Sequence, residues 1–91
     1  MAERIENWVL TQHAEEEIAG RGIEPATVAA VLAAPEQRLP VRPGRDVLQS
    51  RVALEGKTYL IRVFVDVDRE PAAVVTAYRT SKVGKYWSAQ P

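Results

Sequence analysis

The feature that most constrains this chain is a change of hydrophobic period at Pro35. Before it, apolar residues recur at helical spacing; after it they alternate as strand residues do. Helices must therefore come first and strands second. Both must share one core, because 91 residues are enough for a single domain and no more.

The segment "TQHAEEEIAGRG" reads as the first helix. Thr11 is a suitable N-cap, Glu15 and Glu16 lie near the positive end of the helix dipole, and Ala14 and Ile18 share one face. Gly20 or Gly22 can end it in a left-handed cap. "EPATVAAVLAAP" is the second helix, with Pro25 at the first position, a stripe of Val28, Val31 and Leu32, and Pro35 as the stop. "QRLPV" is expected at a sheet edge, since Pro40 would break a central ladder. "DVLQSRVAL" and "KTYLIRVFVDV" flank Glu55-Gly56, a two-residue hairpin turn, and "AAVVTAY" follows the turn-like "DREP".

Alternation predicts the faces. Tyr59, Ile61, Val63, Val65 and Val67 point to the core, and Leu60, Arg62, Phe64 and Asp66 point away. A turn at Glu55-Gly56 pairs Val52 with Tyr59, Leu48 with Val63, and Gln49 with Arg62. In the last strand Ala73, Val75 and Ala77 are expected in the core, with Val74, Thr76 and Tyr78 outside. The outer face should then carry a row Gln49–Arg62–Tyr78 with Thr76 beside it. The expected fold is α+β, with two N-terminal helices packed on one face of an antiparallel three- to four-stranded sheet.

Charge is unevenly spread. Residues 1–36 hold two cations and seven acids, a net −5, and residues 37–91 hold ten cations and five acids, a net +5. The overall charge of zero disfavours a dedicated non-specific nucleic-acid binder, which would be basic throughout. There is no cysteine, which excludes disulfides and thiolate metal sites. The opening "MAERIENWVL" lacks a signal-peptide run, and no stretch approaches the roughly 20 apolar residues of a membrane helix, so a cytoplasmic location is expected.

Little of the chain suggests a metal or cofactor. His13 is the only histidine, the adjacent Glu15, Glu16 and Glu17 fan around a helix axis, and no phosphate loop or nucleophile elbow is present. His13, Glu17 and Arg21 fall on one helical stripe at i+4 steps, where an imidazole can exchange protons beside a carboxylate. An ordinary solvated helix face has the same pattern. The closing "TAYRTSKVGKYW" mixes Arg79, Lys82 and Lys85 with Tyr78, Tyr86 and Trp87. Such a mixture suits RNA, with cations on the backbone and rings on the bases; equally, Tyr86 and Trp87 suit packing over an end of the core.

These segments together resemble the bacterial domain of unknown function family 4258. The resemblance lies in "T-x-H-A" at the first helix, "R-G-I" at the joint, "P-E" after the second helix and the closing "T-x-Y-R-T-x-K-x-x-K-Y-W", in order across residues 11–87. The layout is similar to RelE-like toxins, barnase and some colicin nuclease domains. The resemblance implies a metal-independent endoribonuclease of a toxin–antitoxin or interbacterial system, needing no cofactor. In that reading His13 and Glu17 would serve proton transfer, and Arg79 would stabilise the phosphorane in a cleft shared with His13. Arg21, Arg62, Thr76, Tyr78, Thr80, Lys82, Lys85 and Tyr86 would hold the substrate. RNA, a cognate antitoxin or a second copy are the implied partners. The competing reading is a non-catalytic protein-interaction or RNA-binding module on the same fold.

Overall fold

A computed structural model describes residues 2–89. In chain order the elements are β1 (Trp8–Leu10), α1 (Gln12–Gly20), α2 (Pro25–Ala33), β2 (Gln37–Arg42), β3 (Arg45–Leu54), β4 (Lys57–Asp66), β5 (Ala72–Thr80) and α3 (Val83–Tyr86). The five strands form one sheet in the order β1-β5-β4-β3-β2. All neighbours are antiparallel except β1, which runs parallel to β5.

The helices begin and end where their chemistry directs. Thr11 caps α1, its Oγ1 accepting from the Ala14 N–H at 3.0 Å. Pro25 opens α2, and the chain turns away after Ala34 toward buried Pro35. Between the helices Gly22 has a φ of +68°, a left-handed conformation that a glycine adopts without strain. Ala14, Ile18, Val28, Val31 and Leu32 pack against Leu48, Ile61, Val63 and Val65 of the sheet. Burying each of the valine, leucine and isoleucine side chains among them is worth about 1.5–3 kcal/mol relative to exposure.

The β3–β4 hairpin has the expected register. Leu54 faces Lys57 across Glu55 and Gly56, both at positive φ, and Val52 pairs with Tyr59, Gln49 with Arg62 and Leu48 with Val63. β2 lies at the sheet edge, as Pro40 requires.

The sheet departs from expectation in two places. It has five strands, because residues 8–10 pair in parallel with β5 from Trp8↔Ala72 to Leu10↔Val74; three residues are too few to display a period. A bulge opposite Phe64 and Val65 also interrupts the β4–β5 pairing, so that Phe64 faces Thr76 but Val65 faces Val74. That extra residue reverses the alternation upstream. Val74 is therefore fully buried in the core and Val75 is only half-buried, the opposite of a uniform strand. The outer face is partly covered. α3 lies against β4, and Leu60 and Val47 on that side are buried.

Candidate functional site

The first candidate group grows from the cap of α1. Because Thr11 fixes the first turn, His13, Glu17 and Arg21 stack along one exposed stripe. His13 Nε2 lies 3.2 Å from Glu17 Oε1, and Arg21 Nη2 donates to Glu17 Oε2 at 3.1 Å. β5 completes the group. The Thr76 hydroxyl donates to Glu17 Oε1 at 2.6 Å, and Arg21 Nη1 donates to Thr76 Oγ1 at 3.1 Å and to the Ala77 carbonyl at 2.8 Å. Thr76, expected beside Arg62, stands opposite Phe64 in the ladder, and its hydroxyl bonds to α1.

Glu17 is the hub. The Thr76 hydroxyl first, then the Arg21 charge and the neighbouring His13, hold its carboxyl below the usual glutamate range despite partial desolvation. It is an anion at neutral pH, with both oxygens engaged. His13 by contrast is 71 % exposed. A neutral imidazole that donates from Nε2 to Glu17 keeps Nδ1 as its acceptor, and Nδ1 has no protein partner among the described residues. The arrangement is an open proton acceptor with a fixed orienting carboxylate behind it.

The second group lies on the opposite face. Arg62 Nε donates to Gln49 Oε1 at 2.8 Å and Arg62 Nη1 to the Tyr78 hydroxyl at 2.6 Å, so the expected row Gln49–Arg62–Tyr78 is present as a bonded chain. Rings surround this guanidinium: Tyr86 at 4.6 Å, Phe64 at 5.3 Å and Tyr78 at 5.7 Å from the charge centre. Phe64 stacks on Tyr78, and Tyr86 meets Tyr78 edge-on. Gln49 is fully buried, and Arg62 is half-buried.

The remaining candidates scatter. Arg79 pairs with Ile61 in the ladder and lies over Tyr59 at 5.2 Å, on the helix side. It borders a cavity of about 200 Å³ between the Gly22–Glu24 joint and the tip of the β3–β4 hairpin. That joint is at the far end of α1 from His13, about 13 Å along the axis at 1.5 Å per residue, and His13 does not line the cavity. The expected cleft shared by His13 and Arg79 is thus a line along one edge, with Arg21 between them. Thr80 Oγ1 accepts from the Lys82 N–H at 3.1 Å and closes the turn after β5. Lys82 is exposed, and Lys85 lies 5.3 Å from the Tyr86 ring.

Sequence reasoning missed Gln37. Glutamine is an exposed residue by default, so nothing marks Gln37 as buried. Among the described residues no three His, Asp or Glu side chains converge to hold a metal, and no helix is long and apolar enough to cross a membrane. No family model, curated protein or solved structure matches this chain.

Proposed function

We propose that this chain is a metal-independent RNA-cleaving domain of the RelE-like and barnase-like kind, with its reacting centre at His13. The supporting observation is the exposed imidazole backed by a carboxylate that Thr76 and Arg21 lock in place. That is the arrangement of a general base and its orienting group. Neutral His13 takes the ribose 2′-hydroxyl proton on Nδ1. The 2′ oxygen attacks phosphorus, the bond to the 5′ oxygen breaks, and water protonates the departing oxygen while the resulting hydroxide takes the proton from His13. The products are a 2′,3′-cyclic phosphate and a 5′-hydroxyl. Arg21 flanks the same carboxylate and supplies positive charge to the phosphorane. Arg79, further along the same edge, suits a neighbouring phosphate rather than the reacting one. Arg62, Tyr78 and Tyr86 lie on the other face and touch no reacting atom in this reading.

The test is incubation of the full chain with a mixed-sequence RNA in EDTA. Cleavage with cyclic-phosphate ends is expected, absent on a 2′-deoxy substrate and reduced about 100-fold or more by His13→Ala. Intact RNA after incubation with the folded wild type would end the proposal.

A non-catalytic interaction module is the second reading, and one observation favours it. Arg21 and Arg62 spend much of their donor capacity inside the fold, on Glu17, Thr76 and Ala77 and on Gln49 and Tyr78. Guanidiniums so engaged hold an external phosphate less readily. This reading expects a stable complex with RNA, a cognate antitoxin or a second copy, without RNA decay.

A further inference from the structure

The outer face of the sheet carries a built site that the proposed chemistry does not use. α3 and residues 87–89 cross it as a strap. Beneath the strap stand Gln37 of β2 and Gln49 of β3, neighbours in the ladder and 2 % and 0 % exposed. Buried amides must be bonded, and these are bonded to main chain. Gln37 Nε2 donates to the Ser88 carbonyl at 2.6 Å, and Gln37 Oε1 accepts from the Ser88 N–H at 3.1 Å. Gln49 Nε2 donates to the Tyr86 carbonyl at 3.1 Å. The two amides thus read the backbone of residues 86 and 88, whatever side chains those residues carry.

Side chains are read by cations. Arg62 faces the Tyr86 ring at 4.6 Å, and Arg51 faces the Trp87 ring at 4.1 Å. Neither cation depends on the strap for its position. Glu36 grips Arg51 at Nε and Nη2 (3.1 and 2.9 Å), and Gln49 and Tyr78 hold Arg62. Gln49 Nε2 also donates to Gln37 Oε1 at 2.7 Å. The floor is therefore assembled by its own members. The strap, in turn, has no buried residue in α3 and supplies none to the main core. Polar and cation–ring contacts hold it rather than deep apolar burial.

We infer that this floor is a peptide-binding groove occupied in cis by Tyr86–Ser88, and that the same segment of a second copy of this chain can occupy it in trans. The occupant follows from the fit: two adjacent rings over two fixed guanidiniums, then a residue whose N–H and carbonyl both meet Gln37. Exchange of such a segment is a low-cost route to a dimer. Tethering gives the chain's own strap an effective concentration in the millimolar range, so the closed monomer dominates in dilute solution.

The probe is a labelled synthetic peptide spanning residues 82–89, titrated by fluorescence anisotropy into the full chain. Tyr86→Ala/Trp87→Ala, which loosens the resident strap, is expected to fold by circular dichroism and to bind the peptide at least about tenfold more tightly than the wild type. Adding Gln37→Ala should abolish that gain. Equal binding by variant and wild type, survival of the gain without Gln37, or failure of the double variant to fold would each overturn the inference. Hydrogen exchange on the wild type gives an independent reading. The Trp87 and Ser88 amides should exchange about 100-fold or more faster than the central amides of β3 and β4. Equal protection would mean that the strap does not open.

Discussion

The two polar groups of this molecule use similar parts to opposite ends. On the helix edge an arginine, a carboxylate, a threonine and an imidazole are bonded in series, and the imidazole projects into water. On the outer face an arginine, two glutamines and a tyrosine are bonded in series, and rings and strap cover them. The difference is the solvent exposure of the last member. A covered network must be fully satisfied and is costly to break, so it holds structure. An open one leaves a group able to exchange a proton, so it can do chemistry.

Breaking the covered network should have the largest effect. Gln49→Ala removes the bond to Arg62 Nε, the bond to Gln37 and the tie to Tyr86 at once. Loss of about 2–4 kcal/mol is expected in urea unfolding, since the half-buried Arg62 loses a partner and a cavity remains where Gln49 was buried. Trp87→Ala tests the cover itself. A ring half-buried over Arg51 should cost about 1–2 kcal/mol, less than a ring in a core. The open group should tolerate more: His13→Ala should change stability by less than about 0.5 kcal/mol.

Glu17 links the open group to pH. Its folded carboxyl titrates below its unfolded one, so its bonds add stability above the unfolded value, about 4.3 for a free glutamate, and lose it as pH falls through the folded value. In Glu17→Gln the unfolding midpoint should fall below that of the wild type at pH 7, and the gap should narrow as acid is added below about pH 4. A gap that does not narrow at all as acid is added would mean that Glu17 acts by packing and not by charge. A small effect of opposite sign is expected at a place neither group touches. Glu55 has a φ of +52° in the hairpin turn, and Glu55→Asn should add about 0.5 kcal/mol by suiting that conformation.

The two regions also differ in how plainly the chain announces them. The His13–Glu17–Arg21 stripe is legible because helical spacing and a Thr11 cap suffice to build it. The Gln49–Arg62–Tyr78 row is legible because one two-residue turn sets the hairpin register, and the bulge falls beyond it. Val74 and Val75 were misplaced because valines on both sides of a strand hide where alternation breaks. β1 was missed because three residues carry no period, and a parallel partner lies more than sixty residues away in sequence. The strap was read either as an RNA-binding rim or as rings over a core end, and its fixing across the outer face was not foreseen. Its anchors are main-chain groups of residues 86 and 88, and backbone bonding leaves no mark on side-chain composition.

The most direct test of this division is a crossed comparison of RNA cleavage and unfolding in the full chain. At a temperature where every variant is folded, His13→Ala should lose cleavage about 100-fold with its unfolding midpoint unchanged, while Gln49→Ala should keep cleavage within about threefold and unfold far more readily. Cleavage that survives the loss of His13, or fails with Gln49 in a folded protein, would contradict the assignment of chemistry to the open edge and structure to the covered face.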